Sequence, residues 1–163
     1  MSEESSLIVI AEIAAALAGF SGIAAAFGRR QERQWSQRER ARLSNLLNHS
    51  GIALFSALVP LVFAQLEGFT PKLWRISSLL WAAFASIGIA LRLRWIVSQD
   101  SIASFRRSAI PLTGFVSLLV FQLCNALLWQ LAWPYLLALV GNLGFAFVQF
   151  MGLVNPSPDD DAA

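Results

Sequence analysis

LIVIAEIAAALAGFSGIAAAF, residues 7–27, is the stretch whose reading decides the fold. It is twenty-one residues long and carries one charge, Glu12. At about 1.5 Å of rise per residue, a helix of this length matches the hydrocarbon thickness of a bilayer. Most of the stretch is alanine, glycine or serine, the residues that let membrane helices approach closely. On a wheel turning about 100° per residue, Val9, Ile13, Leu17, Phe20 and Phe27 gather on one side. Ala15, Ala16, Gly19, Gly22 and Ala26 gather on the other, with Glu12 among them. The bulky side is expected to meet lipid, and the small side, carrying Glu12, to face protein. A carboxylate is costly inside such a segment, so Glu12 asks for a reason.

The rest of the chain has the same character. Of its 163 residues, 56% are hydrophobic and 13% charged, against about 25% charged in soluble domains. No ionised side chain falls between Arg107 and Asp159, a length that only a bilayer covers economically. This size fits one transmembrane domain over 1–163. A single cysteine, Cys124, excludes an internal disulfide, and with a single histidine, His49, a metal site of the Cys/His type is not expected. No motif calls for a cofactor.

Five spans are expected, at about 7–27, 46–66, 73–96, 109–128 and 134–154, making an all-α polytopic bundle. The tail before Leu7 lacks the basic start of a secretory signal peptide, so the first span is read as retained. Ser36 followed by Glu39 matches a capping box and predicts a helix start that runs into the second span. In that span Asn45, His49 and Ser56 share a face, and Pro60 takes the donor from the Ser56 carbonyl, predicting a kink. Glu67 to Thr70 reads as a turn, with Thr70 an N-cap and Pro71 the first helical residue. The last forty-six apolar residues, Ala109 to Val154, are twice one span, and Trp129 to Pro134 is the natural break. Asn155 and Pro156 end the last helix.

Ten of the twelve Lys and Arg residues lie in the segments after the first and third spans. By the positive-inside rule the N-terminus is outside, and the acidic C-terminus and an arginine-rich loop over 28–45 are cytoplasmic. Within that loop Arg29, Arg30, Arg33, Arg38, Arg40 and Arg42 are expected to reach anionic lipid phosphates or simply to mark topology. Beside a membrane span, this cluster argues against nucleic acid as a partner.

Depth limits which polar groups meet. Glu12 is expected roughly 8 Å below the outer edge and His49 roughly 5 Å from the inner edge, so the two are not partners. Gln122 and Asn125, in the outer half of the fourth span, are candidates to donate an amide hydrogen to Glu12. Asn142 is expected near the middle of the fifth span, and Gln149 close to the level of His49. These residues make either a polar track or ordinary hydrogen bonding between helices.

The sequence Ala11-Glu12-Ile13 in a first span resembles the start of the small multidrug resistance transporters, in which a first-helix glutamate binds protons and cations in turn. The resemblance implies that role for Glu12. Those chains have four spans, and the Gly-Thr-Thr stretch and lysine that follow in them are absent here. More broadly, Ala11 to Gly28 followed by the arginine segment resembles small bacterial membrane proteins with no assigned activity, which implies residence in the bacterial inner membrane.

Two functions follow as expectations. One is a small transporter or channel subunit with Glu12 titrating and Gln122, Asn125 and Asn142 lining its access. The other is a non-transporting assembly or regulatory subunit. Either implies a homo-oligomer or another membrane protein as partner, with the Ala15, Gly19, Gly22 and Ala26 side as contact. An enzyme is not expected, since no span holds an aspartate and no phosphate loop is present.

Overall fold

The computed structural model describes residues 2–30, 36–98 and 102–155. Among them are five long helices: α1 (Glu3–Arg30), α2 (Gln37–Glu67), α3 (Pro71–Ser98), α4 (Ile102–Cys124) and α5 (Ala132–Val154). All five are long and apolar enough to cross a membrane. Their outward faces carry large apolar side chains, among them Phe55, Leu66, Phe84, Leu128 and Val148, each more than half exposed. A water-facing surface would not hold so many; hydrocarbon does. The protein is a multi-pass, all-helical membrane protein.

The helices begin and end where local chemistry directs. At the start of α2 the Glu39 N–H donates to Ser36 Oγ at 3.2 Å, and the Ser36 N–H donates to Glu39 Oε2 at 2.9 Å. This reciprocal pair is the expected capping box. The α2–α3 turn also follows the sequence: Gly68 takes φ 71°, its N–H donates to the Ala64 carbonyl, and Thr70 Oγ1 accepts from the Leu73 N–H. Helix extends further than the expected spans at several ends. The arginine-rich segment is helical at both of its edges, through Arg30 and again from Gln37. α2 stays helical through Pro60, whose ring is fully buried.

The chain divides into two compact units. The first holds α1, α2 up to Leu61 and α5 from Leu139. Its buried residues are small or medium: Leu7, Ile10, Ala11 and Ala14 from α1; Leu46, Ser50, Ala53 and Ala57 from α2; Leu139, Asn142, Leu143 and Ala146 from α5. The α2 set recurs at intervals of three and four, the spacing of a single helix face. Small side chains let such faces approach, which is the main source of attraction between helices in lipid.

The second unit covers Val62–Ala138. Here larger side chains fill the interior: Trp74, Trp81 and Tyr135 are almost fully buried, with rings of Trp74 and Tyr135 5.8 Å apart and Trp81 stacked on Phe115 at 6.3 Å. α4 does not run straight into a loop. It passes into a π-helical turn, Asn125–Trp129, and Gln130 then adopts a left-handed conformation with φ 54°. That reversal is the break expected between Trp129 and Pro134. Pro134 falls inside the first turn of α5, where its missing N–H removes no helical bond.

Candidate functional site

Glu12 lies in the first unit on the exposed side of α1. The stripe that α1 buries is Leu7, Ile10, Ala11, Ala14 and Ser21. Ala14 is two residues beyond Glu12, about 160° away around a helix, so the carboxylate points nearly opposite to the packed side. Ala15, Gly19, Gly22 and Ala26 are exposed with it, and nothing stands within 4 Å of a side chain added at Gly19 or Gly22. Within this chain the small side is therefore left uncovered. The sequence wheel sorts bulky from small, whereas the packed stripe mixes Leu and Ile with Ala and runs between those two sides.

Gln122 and Asn125 are fully buried in the second unit, where one amide hydrogen of Gln122 and both of Asn125 are engaged. Gln122 Nε2 donates to the Pro134 carbonyl at 2.7 Å. Asn125 Nδ2 donates to Ser78 Oγ at 2.9 Å and to the Leu131 carbonyl at 3.1 Å, while its Oδ1 accepts from the Leu131 N–H at 3.1 Å. The expected donation to Glu12 is therefore replaced by pinning of the α4–α5 reversal. The physical reason is local: where the chain reverses, the Leu131 N–H has no helical carbonyl and takes Asn125 Oδ1, while the two amides set their own hydrogens on the Leu131 and Pro134 carbonyls.

Asn142 is also fully buried, in the first unit. It meets His49 twice: Oδ1 lies 2.9 Å from His49 Nδ1, and Nδ2 donates to the His49 carbonyl at 3.2 Å. The imidazole stacks on Phe145, with ring centroids 5.7 Å apart. Asn142 has ten residues of α5 before it and twelve after, so it sits near the middle of a helix of 23 residues. His49 is therefore at mid-helix depth, level with Asn142 and not with Gln149.

The error in the sequence-derived depth comes from placing the hydrocarbon edge at Leu46. Arg42 is already level with the end of α5, where Nη1 donates to the Gly152 carbonyl at 2.7 Å. Of the six arginines expected at anionic lipid, Arg42 thus holds a helix terminus, and Arg40 is exposed. Arg33 lies outside the described residues, as do the side chains of Arg29, Arg30 and Arg38.

No family model, curated protein or solved structure matches this chain. Its reading rests on its own geometry.

Among the described residues, the buried Ser50 Oγ, Ser77 Oγ, Trp81 Nε1 and Gln122 Oε1 lack a partner. Sequence reasoning singled out Gln122 but not Ser77, Ser78 or Trp81, because serines are common in these spans and nothing in the spacing of Trp81 marks it as polar and buried. Among the described residues no three His, Cys, Asp or Glu side chains gather to hold a metal ion.

Proposed function

We propose that the protein is a non-catalytic membrane subunit that works in an assembly, joined to a second membrane-spanning chain through the outward small-residue side of α1. The observation that carries this reading is Glu12, a carboxylate exposed within an apolar span beside Ala15, Gly19, Gly22 and Ala26. Facing hydrocarbon at that position is costly; a helix seated on the small side removes the carboxylate from lipid and can offer it a donor. The orientation that fits the arginine distribution has the N-terminus outside and the C-terminus in the cytoplasm of a bacterial inner membrane, with exposed arginines such as Arg40 near anionic headgroups.

Crosslinking in native membranes tests the assembly. A cysteine at Ala15 or Ala26 is expected to give a discrete crosslinked species, which Gly19→Leu and Gly22→Leu abolish without loss of membrane insertion. A crosslinked species made only of this chain identifies a homo-oligomer, and a second protein identifies a hetero-assembly. Absence of any discrete species from both cysteine variants with Gly19 and Gly22 intact overturns the proposal.

A second reading, a transporter or channel subunit, is favoured by the same carboxylate, because an assembly would place Glu12 along a boundary between chains. Its access would then run along that boundary, since Gln122 and Asn125 are engaged elsewhere. Glu12→Gln is expected to abolish proton-coupled flux in liposomes while leaving the crosslinked species intact; unchanged flux sinks this second reading.

A further inference from the structure

The His49–Asn142 pair carries more than a packing role, because its bonding fixes where the imidazole proton sits. Asn142 Nδ2 faces the His49 carbonyl at 3.2 Å, and a carbonyl only accepts. The amide is therefore oriented with Oδ1 toward the ring, 2.9 Å from Nδ1. Turning the amide over would set two oxygens against each other at the backbone. Oδ1 also only accepts, so Nδ1 must bear the hydrogen, and the ring's lone pair is on Nε2.

From this we propose that His49 Nε2 is a proton-binding site at the middle of the membrane, with Asn142 as the residue that positions the ring and selects its tautomer. A hydronium ion gives its proton to the Nε2 lone pair: one O–H bond breaks, one N–H bond forms, imidazole becomes imidazolium and a water molecule is left. The Nδ1–H bond to Asn142 survives the change and becomes charge-assisted, so both protonation states use one geometry. Phe145, stacked on the ring, holds its plane.

Leu139 to Val154 of α5 contribute no titratable group. On α2 the nearest charged residue before His49 is Arg42, which is held at Gly152, and the next after it is Glu67. On α1, between Leu7 and Ala26, the only titratable residue is Glu12, on the exposed side. A titratable imidazole set this deep, with one partner dedicated to its tautomer, is the arrangement of a proton site rather than of an interfacial histidine. The inference goes beyond the assembly reading and does not depend on it.

His49 is the only histidine in the chain, so labelling with 15N-histidine gives one imidazole to observe. The full chain, purified through a histidine-free tag and reconstituted in lipid bilayers, is measured by solid-state NMR from about pH 9 to about pH 4. In the neutral state most molecules are expected to carry the hydrogen on Nδ1 and a lone pair on Nε2. On acidification Nε2 is expected to become protonated while Nδ1 stays protonated. Asn142→Leu is expected to convert the neutral state into a mixture of tautomers. A neutral wild-type ring with its hydrogen on Nε2, or signals unchanged across the range, overturns the proposal, and neither outcome depends on whether Asn142→Leu folds. Asn142→Leu with an unchanged tautomer overturns the positioning role.

Discussion

Asn125 shows most directly how a single side chain holds this fold. Its amide has two hydrogens and one oxygen, and all three are engaged across the α4–α5 reversal and to Ser78 of α3. Asn125→Leu leaves the Leu131 N–H and carbonyl without these partners and takes the donor from the buried Ser78 Oγ, at an expected cost of about 1–3 kcal/mol. Asn125→Asp is expected to cost more, because an ionised carboxylate accepts from Leu131 but sets an unpaired charge against the Leu131 carbonyl. The measurement is the shift in denaturation midpoint of the detergent-solubilised protein, and equal stability of all three forms would remove the pinning role. At this scale the sequence was half legible. It marked Gln122 and Asn125 as a pair on one face of α4, but their targets are set by a chain reversal and a serine on another helix, neither of which leaves a periodic signal. The same holds for His49. Its face was readable, and its depth was not, because the last arginine before it reaches a helix terminus rather than a headgroup.

Among the elements, the best-read boundaries are those written in a few neighbouring residues. Ser36 with Glu39, and Thr70 with Pro71, act through their own backbone and need no partner helix. The packed side of α1 is the contrary case. Which stripe turns inward depends on the helices it meets, and a span of alanines offers several stripes of nearly equal quality. The capping box has a testable local signature. Ser36→Ala and Glu39→Ala should each weaken the start of α2 by about 1 kcal/mol. Because the two bonds are reciprocal, the double variant should cost less than the sum of the single ones. Amide exchange should quicken at Ser36, Glu39 and their neighbours in the first turn. Protection around Ala53 and Ala57, in the buried part of α2, should stay as in wild type; a loss there would mean that the cap stabilises far more than its own turn.

For the whole molecule, the orientation proposed above rests on five membrane-length helices, an odd number, and on where the arginines fall between them. The choice is a matter of free energy: moving Arg40 and its neighbours across the bilayer is unfavourable, while the segments bearing Lys72 and Arg75 carry far fewer cations to hold back. The exposed Lys72–Glu67 pair at 3.7 Å adds little to this, since ion pairs in water contribute about 0–1 kcal/mol. In a chain whose Cys124 is replaced by alanine, new cysteines at Ser2 and Glu67 are expected to react with a membrane-impermeant maleimide on intact cells. Cysteines at Arg40 and Asn155 are expected to react only after the membrane is opened. The reverse pattern would invert the orientation while keeping five spans. Ser2 and Asn155 labelled from the same side would mean that one of the five helices does not cross.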